Sequence, residues 1–198
     1  INQPLVSEIR QKFCNVHTCP ISGDRIFFEN AGGALTLKSA LETTTKFASI
    51  PDNQGRDNLA SQALNDVIKN AKSDLSELFN TQSGEFFMGE SGTELLFRLI
   101  RNAVVASPSG GSVVGTSLEH PASRSAAKKW SNEMGYTYLS VPHSVETGTV
   151  NPKNYADKIS DTTRVVTIVH ASPVTGMGTK IKEISKICLL YTSPSPRD

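Results

Sequence analysis

The loop Gly89-Glu-Ser-Gly-Thr93 contains residue types that bind a phosphate-sized anion. It leads into a strongly helical segment, so backbone N–H groups and the hydroxyls of Ser91 and Thr93 gather at a helix N-terminus, where anions bind well. Two common phosphate motifs do not fit: no lysine follows the glycine as in a P-loop, and the glycine spacing differs from the dinucleotide fingerprint. The alternative is that Ser91 or Thr93 only caps the helix.

His120 and His170 lie in loops that follow predicted strands. His120 lies between a strand and Pro121, which suits the first helical turn and so places His120 at a helix entrance. A histidine there can stack on a flat aromatic ligand or transfer protons near neutral pH, although a capping or surface histidine is the alternative. His170 opens the polar loop 170–176, a position that often carries function, but it could equally be a satisfied core residue.

Helical and strand-like patterns alternate along the chain and must position these loops. Helices are predicted over 37–50, 59–78, 93–104, 122–134, 152–159 and 179–188, and strands over 85–88, 112–116, 136–141 and 164–169. The β-branched run 164–169 is typical of a strand buried on both faces of a parallel sheet. This alternation predicts a three-layer α/β architecture with a mostly parallel sheet. Because such sheets bind ligands beyond the carboxyl ends of their strands, the loops after Met88, Thr116 and Val169 are expected to form one neighbourhood.

Composition limits the classes of function. The 198 residues carry 20 Lys+Arg and 19 Asp+Glu, and a net charge of +1 predicts no binding of nucleic acid or of an anionic membrane surface. No apolar run approaches the roughly 20 residues that span a bilayer. Three cysteines suit a reducing compartment, so a cytoplasmic location is expected. Cys14, His17 and Cys19 could offer zinc three ligands, but a closed zinc site takes four.

Four segments occur in the order and spacing of class V aminotransferases, and the cysteine desulfurase-like branch is the most similar. They are Phe28-Glu-Asn-Ala-Gly-Gly33, Gly89-Glu-Ser-Gly-Thr-Glu94, Leu118-Glu-His120 and His170-Ala-Ser-Pro-Val-Thr-Gly176. The resemblance covers residues 5–187. It implies the truncated large domain of a fold-type-I, three-layer α/β enzyme that depends on pyridoxal 5′-phosphate (PLP) and acts on a small-molecule amino acid.

The resemblance also implies roles for single residues. Thr93, with backbone N–H groups such as that of Gly92, would bind the cofactor phosphate. His120 would stack on the pyridine ring and take part in proton transfer, which makes it the candidate catalytic residue. Asn30 and Arg56 would lie on the substrate side, and the full-length protein would be a homodimer. The planar fork of Arg56 suits a substrate carboxylate, with a solvated loop arginine as an equal alternative.

Some positions depart from the family pattern. Pro173 stands where the family usually has an Asn that hydrogen-bonds the ring hydroxyl, so that bond is lost or supplied elsewhere. Gly92 replaces a hydroxyl-bearing residue or Ala, but its amide remains. Gly55 replaces a His, which counts against desulfurase chemistry.

Two family residues are expected beyond this chain. The Asp that pairs with the pyridine nitrogen and the Schiff-base Lys should both follow residue 187, and none of the present lysines has the sequence context of that Lys. The chain is therefore expected to be an N-terminal fragment that is inactive alone and binds PLP weakly. The alternative is a degenerate, non-catalytic α/β binding protein, which Pro173 and Gly55 keep open.

We divide the chain into an N-terminal segment (1–35), a partial PLP-binding large domain (36–187) and a tail (188–198). The tail ends in two Ser-Pro pairs and resembles translated sequencing-adapter read-through, with a natural Pro-rich terminus as the alternative. The chain starts at Ile1 rather than Met, so its true beginning is expected to be missing or trimmed.

Overall fold

Residues 2–51 and 55–191 are described by the computed structural model, and the chain divides after Phe86 into two compact units. The first unit contains α1 (Gln3–Gln11), β1 (Thr18–Cys19), β2 (Gly23–Asp24), α2 (Lys38–Ala48) and α3 (Leu59–Leu78). The second contains α4 (Gly92–Ala106), β3 (Ser112–Thr116), α5 (Pro121–Glu133), β4 (Thr137–Val141), α6 (Pro152–Ala156), β5 (Thr163–Val166) and α7 (Ile181–Tyr191).

The sheet of the second unit is parallel, in the order β4-β3-β5. β3 pairs with β4 along its whole length, Ser112 opposite Thr137 and Thr116 opposite Val141. Its pairing with β5 shifts register between Ser112 and Val113. All five residues of β3 are buried, as expected for a strand with a neighbour on each side and helices on both faces.

Alternation along β3 separates two layers of helices. Val113 packs in a core cluster with Ile100 and Val104 of α4 and with alanines of α5. Val114 faces the other way and packs in a second cluster that contains Tyr155 of α6 and Ile184 of α7. The helix–sheet–helix arrangement confirms the predicted three-layer α/β architecture.

Two strand predictions were wrong. β5 ends at Val166 instead of Val169 and is only partly buried, because within the described sheet it is an edge strand with β3 on one side alone. Residues 85–88 form no strand, and Phe87 and Met88 are largely exposed. A strand is held by ladder hydrogen bonds, and no pairing with residues 85–88 occurs in the described part of the chain.

The helix predictions agree closely with the structure, and local capping explains their bounds. α3 spans the predicted residues 59–78, and α6 begins after Asn151, whose side chain accepts a hydrogen bond from the Lys153 N–H. Pro121 occupies the first turn of α5, as predicted. α7 continues to Tyr191, so residues 188–191 extend the helix past the start of the predicted tail, and residues 192–198 lie outside the described part.

The described residues of the first unit form three helices and a short hairpin. Asn2 caps α1, and β1 pairs antiparallel with β2. An isolated bridge joins Phe13 to Leu37, and the Lys38 N–H donates to the Lys12 carbonyl at 2.9 Å, which ties the end of α1 to the start of α2. Across the described residues, no helix is both long and apolar enough to cross a bilayer.

Candidate functional site

The helices α4 and α5 both begin at the carboxyl end of the sheet. The end of α4 lies at the opposite edge, where the hydroxyl of Tyr136, just before β4, is 3.0 Å from the Ser107 carbonyl oxygen and 2.7 Å from that of Pro108. α4 therefore starts at the edge where β3 ends and α5 begins. This geometry gathers the predicted loops 89–93 and 117–120 at one edge of the sheet.

The start of α4 offers donors to an anion. Ser91 is the N-cap, and its Oγ accepts from the Glu94 N–H at 3.2 Å, so the capping interpretation holds for this residue. The N–H groups of Gly92 and Thr93 belong to the first turn, where a helix supplies no acceptor. Both residues are exposed, and a Cβ built at Gly92 meets no atom within 4 Å. These donors thus lie at an exposed helix start.

Close packing of the loop on its helix depends on Gly89. A Cβ at this position would lie 2.8 Å from Leu95 Cδ2 and 3.0 Å from a carboxylate oxygen of Glu94. Glu94 stands in the first turn, where its charge would oppose an anion. Its other oxygen accepts from Arg98 Nη1 at 2.9 Å, which offsets part of that charge.

His120 is the N-cap of α5. Its Nδ1 accepts from the Ala122 N–H at 3.1 Å, so the neutral ring carries its proton on Nε2. The residue is exposed, and Nδ1 is the ring nitrogen with a described hydrogen bond. Capping and stacking are therefore compatible at this position, although the sequence presented them as alternatives.

Glu119 is a buried carboxylate beside His120 to which sequence reasoning gave no role. Its Oε1 accepts from the Val169 N–H at 2.8 Å and from the Thr116 hydroxyl at 3.2 Å, and its Oε2 accepts from the Ser123 hydroxyl at 3.1 Å. Burial raises the pKa of Glu119, and the three donors oppose that shift. The available signal was its position, an acidic residue between a buried strand and a loop histidine.

The loop after β5 is held by Ser172. This residue is buried, and its Oγ accepts from the N–H groups of Val174 and Thr175 at 3.2 Å each. An isolated bridge between Ala171 and Gly178 closes the loop. His170 is exposed, so the core interpretation of this histidine was wrong.

A further histidine lies beyond β4. His143 Nδ1 is 2.7 Å from Ser117 Oγ, and the His143 N–H donates to the same oxygen at 3.0 Å. This pair links the segments that follow β3 and β4. The sequence contained no motif that singled it out.

Asn30 and Arg56, the predicted substrate-side residues, belong to the first unit. Asn30 lies in a turn and lines a cavity of about 420 Å³ with residues of α1, including Arg10. The Arg56 N–H donates to the buried Ser61 hydroxyl at 3.1 Å, and residues 53–54 of its loop lie outside the described part. Their substrate role remains a prediction.

The zinc alternative gains no support. Within residues 2–51 and 55–191, no group of three His, Cys, Asp or Glu side chains is placed to hold a metal ion. Cys14 and Cys19 are free thiols, and hydrogen bonds from Ser22 lower the pKa of Cys19 to about 7. They do not form a ligand set with His17.

Solved structures define the class of fold. The apo cysteine desulfurase from Thermococcus onnurineus NA1 superposes with a TM-score of 0.76 at 16% identity, over 92% of this chain and 44% of that one. A C-DES mutant with glycine covalently linked to its PLP cofactor gives 0.71 at 20% identity, over 91% and 47%. The chain has the fold of the fold-type-I cysteine desulfurases, as predicted.

Sequence relatives give the family. The Aminotransferase class-V family matches residues 26–191, and the chain belongs to it. The cysteine desulfurase-like protein ustD of Aspergillus flavus is 29% identical over 96% of this chain and 44% of its own length. The chain therefore spans less than half the length of that relative.

The residues present fit PLP, the cofactor that this family implies. First-turn N–H groups at Gly92 and Thr93 suit a phosphate, and the exposed ring of His120 suits a planar aromatic ring. Pro173 has no side-chain donor or acceptor, so its side chain offers no hydrogen bond to a ring hydroxyl.

Proposed function

We propose that this chain is the N-terminal part of a PLP-dependent enzyme that acts on an amino acid, of the cysteine desulfurase-like kind. The observation that carries the proposal is the shared position of the α4 N-terminus and His120 at one edge of a parallel sheet. Membership of the class V family supports it. The large domain would span residues 36–187, and the full-length protein would be a homodimer.

Each site residue has a definite part in this proposal. Thr93 and the N–H group of Gly92 hold the phosphate, which orients the cofactor relative to α4. His120 stacks on the ring and holds or moves a proton at Nε2, because its Nδ1 is occupied by the Ala122 N–H. Arg56 and Asn30 bind the substrate. When bound, PLP supplies an electron sink for bonds at the substrate α-carbon.

A comparison of two ligands tests the cofactor site. PLP and pyridoxal differ only by the phosphate, so titrations of the chain followed by ligand absorbance separate phosphate binding from ring binding. We expect Thr93→Val to lower PLP affinity about tenfold and leave pyridoxal affinity unchanged, since it removes one hydrogen bond to a charged group. Thr44→Val on the exposed face of α2 is the matched control. An equal loss of affinity for PLP and for pyridoxal would contradict the assignment of Thr93 to the phosphate.

The gene beyond the codon for Ile187 tests the catalytic part of the proposal. We expect an apolar strand with an Asp, followed some tens of residues later by the Schiff-base Lys. A gene without that Lys would favour the second candidate, a non-catalytic binding protein of the same fold. The exposed Pro173 is the observation that favours this candidate.

A further inference from the structure

Glu119 is the only charged side chain in the buried set of residues 2–51 and 55–191. The other buried polar residues there carry hydroxyls. Placing a carboxylate out of water is unfavourable unless donors surround it. No ion pair of Glu119 occurs among the described residues, so hydrogen bonds alone compensate its charge.

Those bonds join three segments that are distant in sequence. The Thr116 hydroxyl ends β3, the Ser123 hydroxyl lies in the first turn of α5, and the Val169 N–H follows β5, fifty residues away. The Thr116 Oγ1 also accepts from the Leu118 N–H at 3.2 Å, which tightens the turn before His120. Glu119 is thus hydrogen-bonded to the end of β3, to the first turn of α5 and to the segment after β5.

The side chain of the neighbouring His120 makes one described hydrogen bond, between its Nδ1 and the Ala122 N–H, and its carbonyl accepts from the Arg124 N–H within α5 at 3.0 Å. The Nδ1 bond sets the ring orientation relative to α5, but not the place of the turn relative to the sheet. The Ser117 N–H ties the turn to β4 through the Val141 carbonyl at 3.0 Å, and the carboxylate of Glu119 adds a tie to the segment after β5 through the Val169 N–H. Loss of the Glu119 bonds would leave the helix start capped and the tie to β4 in place, but would release the turn from the segment after β5.

We propose that Glu119 is a positioning residue that fixes the His120 turn to the segment after β5, so that the imidazole is held at the carboxyl edge of the sheet for stacking on the cofactor ring. This inference rests on the proposed function, because the proposed function supplies the cofactor ring on which His120 would stack. It assigns Glu119 no contact with cofactor or substrate.

A double-mutant cycle tests whether Glu119 acts through His120. Ring affinity is measured with pyridoxal for the wild-type chain, Glu119→Leu, His120→Ala and the double variant. We expect Glu119→Leu to weaken pyridoxal binding about tenfold in the wild-type background and less than about twofold in the His120→Ala background. Independent, additive losses would overturn the proposal, as would unchanged affinity in Glu119→Leu.

Two further variants guard against a mere folding defect. Glu119→Gln keeps an oxygen for the Val169 N–H and should retain pyridoxal affinity within about threefold. Ser123→Ala removes only the hydroxyl that donates to Oε2 and should weaken binding less than Glu119→Leu does. The fluorescence of Trp130, the single tryptophan, reports whether each variant is folded. A folded Glu119→Gln that loses affinity as fully as Glu119→Leu would contradict the proposal.

A second readout separates this inference from the proposed function. If the wild-type chain binds neither PLP nor pyridoxal, the proposed cofactor site of the chain fails, and the ring resonances of His120 by NMR still decide the positioning role. We then expect Glu119→Leu to shift those resonances and speed exchange of the Val169 amide, while Glu119→Gln leaves both near wild type. Unchanged His120 resonances in Glu119→Leu would overturn the inference.

Discussion

The two units of the chain differ in how their apolar side chains are covered. Every buried hydrophobic residue of the described ranges lies in the second unit, from Ile100 to Ile184, whereas Ser61 is the one fully buried residue described in the first. Leu59 and Leu78, at the two ends of α3, are 84% and 75% exposed. The second unit thus has a core that orders its loops, and the first leaves its amphipathic helices without a core of its own.

This difference explains where the candidate site is best defined. The α4 N-terminus, His120 and Glu119 are fixed by a sheet with helices on both faces. Asn30 and Arg56 belong to a unit whose apolar surface remains exposed. Precise chemistry requires side chains held by packed neighbours, so we expect the groups proposed to bind the cofactor to be preformed in this chain.

The largest expected effect compares the same substitution in the two units. Ile184→Ala removes a fully buried side chain from the core cluster of α6 and α7, and we expect a loss of about 2–5 kcal/mol in the free energy of unfolding. Ile21→Ala, at a residue 97% exposed, should change it by less than about 0.5 kcal/mol. Urea unfolding followed by circular dichroism measures both free energies. Similar losses in the two variants would contradict the claim that the two units differ in how their apolar side chains are covered.

A glycine pair tests close packing at the start of β3. Gly111 has a φ of +105°, and a Cβ there would lie 2.0 Å from the Thr162 carbonyl oxygen. Gly23 also has a positive φ, +78°, but a Cβ there meets nothing within 4 Å. Gly111→Ala should therefore cost about 1–3 kcal/mol more than Gly23→Ala in thermal or urea unfolding, because only it adds a steric clash to the backbone strain. Equal costs would contradict the close approach of Gly111 to the Thr162 carbonyl.

The pH dependence of stability tests the burial of Glu119. Its pKa in the folded chain is raised by burial, so its contribution to stability is present below the unfolded pKa and lost as pH rises through the folded one. Over that interval we expect the wild-type free energy of unfolding to fall, by at most about 1.4 kcal/mol per pH unit, and Glu119→Gln to abolish this fall. Ser123→Ala keeps the carboxylate and should keep the fall. If the free energy of unfolding depended on pH identically in wild type and Glu119→Gln, burial would not raise the pKa of Glu119.

The smallest expected effect concerns helix caps. Ser91→Ala removes the bond to the Glu94 N–H and should destabilise the second unit by about 1 kcal/mol. Asn2→Ala removes the corresponding bond to the Leu5 N–H in the first unit. Trp130 packs against Phe97 in the second unit, so its fluorescence reports the unfolding of that unit. If the units unfold separately, we expect only Ser91→Ala to lower the unfolding midpoint measured by this fluorescence. An equal decrease of this midpoint in Asn2→Ala would show that the two units unfold together.

Much of the second unit could be predicted from the sequence because its signals are local. Pro121 and Asn151 set helix starts through their own backbone and side-chain chemistry, and residues 112–116 form the predicted strand β3. Residues 85–88 show the limit, since their apolar pattern suits a strand but pairing depends on a partner that no local pattern reveals. The role of Glu119 was equally hidden, because its bond to Val169 joins residues fifty positions apart.

The central claim is that the second unit presents the groups that bind the phosphate of PLP and stack on its ring. Amide hydrogen exchange of the chain with and without PLP, compared with inorganic phosphate, tests it most directly. We expect PLP to slow exchange in residues 89–95 and 118–124, phosphate to slow it only in the first of these segments, and residues 2–51 to show no change. Protection confined to the first unit, or none at a PLP concentration that saturates binding, would contradict the claim.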